Sequence, residues 1–144
     1  MFALLVMGIV GCSVYTARLT LRPSTSQESF EEASFKIAEV TARKLAELHN
    51  MNEVTGPHDP RYTRPYRTIA LFIGPGSKRD VSLSAAVKED QSEIAFVLVD
   101  QGHGAETPYT ATLLQDLERQ VAEGFPEHTP SLERSSSLAN PLAP

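Results

Sequence analysis

The chain has 144 residues, 41% of them apolar and 22% charged, with 13 Lys and Arg against 18 Asp and Glu, one Cys and no Trp. That composition excludes a wholly disordered chain, a collagen and a multi-span membrane protein, and the length suits one small domain with a packed core. One cysteine supplies neither an internal disulfide nor, alone, a structural zinc site. A net charge of -5 opposes general attraction to nucleic acid or an anionic bilayer but leaves room for a local basic patch.

Phe2 to Val10 is apolar and uncharged, and Gly11 and Cys12 follow at once. A hydrocarbon core of about 30 Å takes about 20 helical residues, whereas the apolar region of a signal peptide takes about 7 to 15, so the run fits a signal peptide. Its end, Ile9-Val10-Gly11-Cys12, resembles the lipobox of bacterial lipoproteins, where an aliphatic residue and two small or medium residues precede the cysteine that is diacylated before cleavage. The resemblance is confined to residues 1–12. It implies a signal peptide over 1–11, a palmitate-type lipid anchor on Cys12 and attachment to the cell envelope, since two or three acyl chains exceed the marginal hold of one. Ser13 in place of Asp after the cysteine is similar to lipoproteins sent to the outer membrane, facing the periplasm. No Lys or Arg occurs before Arg18, which departs from the basic start of signal peptides. The competing reading is a buried first strand or helix with an inert core cysteine.

Beyond Cys12, Tyr15, Ala17, Leu19 and Leu21 alternate with Thr16, Arg18, Thr20 and Arg22, the period of a strand with one buried face, and Pro23 ends it. A helix is expected over about 27 to 49, opened by a capping box at Thr25 and Glu28 or at Ser29 and Glu32. Its apolar stripe would be Phe30, Ala33, Ile37, Val40, Leu45 and Leu48. Asn50 through Pro65, with Gly56 and three prolines, reads as a long loop. Residues 68–73 are continuously apolar, as in a strand covered on both faces, and Val81 to Val87 and Ile94 to Val99 complete three consecutive antiparallel strands. Thr107 and Pro108 supply an N-cap and N1 for a second helix, with Leu113, Leu114, Leu117, Val121 and Phe125 on one face. From Pro126 onward, proline and serine dominate without apolar period, which predicts a disordered tail over 126–144.

The expected fold is therefore α+β, a two-layer sandwich in which an antiparallel sheet of three to four strands carries two helices in the order β-α-β-β-β-α, over residues 12–125. Several families of outer-membrane assembly lipoproteins, including the one that plugs the lipopolysaccharide export barrel, are similar in element order, without a shared residue motif. The order of elements after residue 26 also matches that of double-stranded-RNA-binding domains. Those need Lys near the start of the second helix, and 107–118 has none, so no nucleic acid is expected as partner.

Candidate chemistry is sparse. His49, His58 and His103, with Asp59 and Asp100, are the candidates for acid-base or metal work, but no two histidines have ligand spacing, and Asp100 with His103 makes only a pair in a glycine loop. The Gly74-Pro75-Gly76-Ser77 stretch suits a hairpin turn better than a phosphate cradle, because Pro75 lacks an amide hydrogen. Neither a catalytic motif nor a cofactor motif is present, so the sequence reads as a non-catalytic interaction or assembly module. The alternative is a small periplasmic enzyme or metal-binding protein using Asp100 and His103. One stretch combines guanidinium groups with aromatic rings: Arg61, Tyr62, Arg64, Tyr66 and Arg67, between Pro60 and the 68–73 strand. It is the expected contact for an envelope protein or an anionic lipid or glycan, with Tyr62, Arg64 and Tyr66 on one side of an extended chain and Arg61 and Arg67 on the other.

Overall fold

The computed structural model describes residues 14–24, 28–54 and 65–137. The expected signal peptide, Cys12, His58, Asp59, Arg61, Tyr62 and Arg64 lie outside the described residues. The chain runs β1 (Val14–Leu21), α1 (Glu32–Leu48), β2 (Asn52–Glu53), β3 (Tyr66–Gly74), β4 (Val81–Lys88), β5 (Ile94–Asp100), α2 (Pro108–Gly124) and β6 (Ser131–Ser137). The class is α+β: two helices on an open antiparallel sheet of six strands in the order β2-β3-β4-β5-β1-β6.

The alternation in β1 selects the core face. Tyr15, Ala17, Leu19 and Leu21 join Leu83, Ala85, Val87, Ile94, Phe96 and Leu98 in one buried cluster, closed from above by Ala38, Ala42 and Leu45 of α1 and Leu113, Leu117 and Val121 of α2. In register, Leu19, Phe96, Ala85 and Ala70 form one row across four strands, so the small Ala70 and Ala85 leave space where α1 crosses β3 and β4. α2 begins as the sequence suggests: the Thr107 hydroxyl accepts from the Thr110 N–H, and the Thr110 hydroxyl accepts from the Thr107 N–H at 2.8 Å, with Pro108 in the first turn.

Four sequence expectations are corrected. First, the sheet has six strands, not three to four, because β2 and β6 add one at each edge. Second, the tail expected to be disordered from Pro126 contains β6, paired with β1 from Val14↔Ser137 to Thr20↔Ser131. The side chains of residues 131–136 are exposed, so backbone pairing with the otherwise open edge of β1 holds it, and such pairing needs no apolar period. Third, α1 opens at Glu31 with no side-chain cap, because Phe30 is buried and its N–H is taken by the Gln91 carbonyl at 2.8 Å, which keeps the chain extended up to that point. Fourth, the inward face of α1 is Phe35, Ala38, Thr41, Ala42, Leu45 and Ala46, while Ile37, Val40 and Leu48 are left exposed. The stripe turns by about one residue, or 100°, because alanines allow the helix to approach the sheet more closely than branched side chains do.

The two ends of the sheet differ. Val14, the turn between β3 and β4, the loop after Asp100 and the end of α1 share one end, where Gly74, Val81, Asp100 and Tyr15 stand in one row. Leu21, Tyr66, the β4–β5 turn and the start of α1 share the other, where Phe30 meets Gln91.

Candidate functional site

Of the five residues proposed for recognition, Tyr66 and Arg67 are described, and they open β3 with opposite orientations, as extended geometry requires. Tyr66 lies on the face turned away from the helices. There the Arg18 guanidinium sits over its ring, 4.8 Å from the centroid, and donates to its hydroxyl, which in turn donates to the Glu93 carboxylate. Arg22 closes the chain of contacts on Glu93 at 3.0 Å. Arg18 is on β1 and Tyr66 on β3, so the bridge spans β5 and β4, whose row between them carries Ala95 and Ala86, both fully buried. Burial first, then the hydrogen bond to Glu93, raises the Tyr66 phenol above its usual range. For Glu93, burial acts upward, but Tyr66, Lys88 and Arg22 outweigh it and hold the carboxyl low. Tyr66 is thus committed to a polar lattice with Arg18, Glu93 and Arg22.

Arg67 points the other way and is exposed, with no hydrogen-bond or ionic partner among the described residues. It borders an open groove of about 620 Å³ between the first half of α1 and the outer edge of β3, where Glu32, Phe35, Lys36 and Ile69 also contribute. A second hollow of about 410 Å³ on the far side of Arg67 is shared with Tyr66, Lys88, Glu89 and Gln91. Thr68 borders both, and its hydroxyl is buried without a hydrogen-bond partner.

Asp100 and His103 do meet, at 3.1 Å between Oδ2 and Nδ1. Asp100 is 1% exposed and its Oδ1 accepts the Gly102 N–H at 2.9 Å, whereas the His103 side chain is 61% exposed. The carboxylate therefore shapes the loop from below, and the imidazole caps it from solvent. Among the described residues no group of three or more His, Cys, Asp or Glu is placed to hold a metal ion. His49 finds a partner that sequence spacing conceals: its Nε2 lies 2.7 Å from Asp116 Oδ2, and Arg119 reaches the same carboxylate at 2.9 Å. This ties the end of α1 to the middle of α2, with Tyr109 edge-on to the imidazole at 6.0 Å. His128, within the stretch expected to be disordered, packs between Phe30 and Phe125 at 5.5 and 5.8 Å.

No protein-family model matches the chain, and no curated protein matches it either. No helix among the described residues is long and apolar enough to cross a membrane.

Proposed function

We propose that this protein is a lipid-anchored component of a bacterial cell envelope, held by Cys12 at the outer membrane facing the periplasm, and that it acts as a non-catalytic interaction or assembly module. The supporting observation is the placement of the chain's one cysteine: it ends an apolar run with a lipobox-like junction and stands two residues ahead of β1, which begins at Val14. Two residues of extended chain reach about 7 Å, so an anchor at Cys12 would hold the Val14 end of the sheet against the bilayer without a tether. The eight residues of β1 then carry the opposite end roughly 25 Å outward at about 3.3 Å per residue.

Arg67 and its groove lie at that outer end. An exposed guanidinium more than two Debye lengths from the anchoring surface would not read its headgroups, so its partner is taken to be an envelope protein carrying a carboxylate or an anionic glycan. In-cell crosslinking from position 67, followed by identification of the captured molecule, tests the reading. Capture of one envelope component, reduced in Arg67→Glu, supports it; recovery of the chain in the cytoplasm, unlipidated, overturns it.

A further inference from the structure

We propose that the β3–β4 turn, through Lys78 and Arg79, is a second and electrostatic contact with anionic lipid headgroups that sets the orientation of the anchored domain. The inference rests on the lipid-anchor reading above and names the surface that the anchor brings to the membrane. Lys78 and Arg79 are separated from β4 only by Asp80, and Val81, the first residue of that strand, stands in the same row as Asp100 and Tyr15. They therefore occupy the Val14 end, two strands or about 10 Å sideways from β1. Both are exposed, and neither has an ion-pair or hydrogen-bond partner for its side chain among the described residues.

The turn that carries them is pinned to the body. Gly76 donates its N–H to the Asn50 carbonyl at 2.9 Å, and the Asn52 amide donates to the Gly76 carbonyl at 2.7 Å. Gly74 has φ +153°, and a Cβ there would stand 3.0 Å from Met51 Cα, so only glycine lets the turn close onto the end of α1. The neighbouring acid, Asp80, is exposed and lies beside Gly102, so it offsets one of the two cations, and its backbone carbonyl accepts the Gln101 N–H at 2.8 Å. The other charges at this end offset one another: Arg43 pairs with Glu53, Asp100 with His103 and Glu106 with Tyr15 and Arg134, and the exposed Lys44 stands against the exposed Glu47. The opposite end is acidic, with Glu28, Glu31, Glu32, Glu89 and Asp90 exposed against Arg22, Arg67 and Lys88. An anionic bilayer accordingly attracts the turn and repels the far end, and both effects favour the orientation that Cys12 imposes.

Two cations are too few to bind a soluble domain firmly, but each is worth about fivefold in population near an anionic surface, which suffices to orient a domain already tethered. The test couples the full-length chain through its one cysteine to a maleimide phospholipid in vesicles. Chemical coupling supplies the anchor whether or not cells lipidate Cys12, and cellular lipidation is read separately by intact mass, so failure of either idea is distinguishable. Lysine acylation followed by mass spectrometry then reports access at Lys36, Lys44, Lys78 and Lys88. On phosphatidylglycerol vesicles, acylation of Lys78 should fall about fivefold or more relative to phosphatidylcholine vesicles, with Lys88 unchanged. The protection should vanish at 0.5 M salt, and Arg79→Glu should weaken it. Equal Lys78 acylation on both lipids, or protection of Lys88 instead, overturns the proposal.

Discussion

Tyr66 was a candidate recognition residue in the sequence, and its contacts predict a structural role that a double-mutant cycle can measure. Arg18→Ala removes a charge-assisted hydrogen bond, about 1.5 to 3 kcal/mol, and a ring contact of about 0.5 to 1 kcal/mol. Against that, Arg18 Nε is buried without a partner, so the substitution also relieves a desolvation cost of about 1 to 3 kcal/mol. The net loss should be about 1 to 2 kcal/mol. Tyr66→Phe keeps the ring over which Arg18 sits and deletes the hydroxyl that links it to Glu93, for a similar loss. Because both substitutions break the same contact, the double variant should lose about 1 kcal/mol less than the sum. Urea unfolding of the four proteins at pH 7, read as midpoint shifts at constant slope, supplies the numbers. The Glu93 carboxyl is held below its unfolded value, so its share of the lattice is fully present above about pH 4 and disappears as pH falls through the folded value. The coupling should accordingly shrink as pH falls below the ordinary carboxylate range. Additivity within about 0.3 kcal/mol at pH 7 would refute the lattice and return Tyr66 to the list of free contact residues.

Tyr15 gives a prediction at the alkaline side. Burial, followed by its hydrogen bond to Glu106, pushes the phenol up to about 12, so its contribution is complete below pH 10 and is lost as pH rises toward 12. Tyr15→Phe should flatten that alkaline loss of stability in a thermal-melt series; an unchanged profile would contradict the assignment. Deleting residues 131–144 removes β6 and the Arg134 contact with Glu106 at 3.7 Å, so the melting temperature should drop by several degrees and amide exchange along β1 should accelerate. A dispensable tail would leave both unchanged. Arg67→Glu should weaken partner capture most strongly at low salt while leaving the melting temperature within about 2 °C, since the side chain is exposed and without a described partner.

The segments that were readable in the sequence share a strong local signal. β1 alternates strictly, α2 combines a Thr107 cap with a leucine stripe, and β3 to β5 are apolar runs separated by turn residues. The misread segments owe their placement to distant neighbours. The inward face of α1 is built on Ala38, Ala42 and Ala46, small residues that carry little hydrophobic weight, while Ile37, Val40 and Leu48 draw the periodicity to the outer surface. β6 exists because β1 has a free edge, and its sequence, SLERSSS, has no apolar alternation from which a strand could be inferred. The candidate site divides in the same way. Opposite orientations of Tyr66 and Arg67 follow from strand geometry alone, but the Arg18 to Tyr66 to Glu93 chain joins residues 48 and 27 positions apart. Likewise His49 and Asp116 are separated by 67 positions, which no motif spacing reveals.

The most direct test of the envelope reading is the intact mass of the protein extracted from membranes of bacterial cells expressing the full chain. The expected species begins at Cys12 and carries the added mass of two or three acyl chains, and Cys12→Ser should convert it to an unacylated precursor that still folds, because the core runs from Tyr15 to Phe125. An unmodified chain that retains Met1 through Gly11 would contradict the anchor, the membrane-facing end of the sheet and the localisation together.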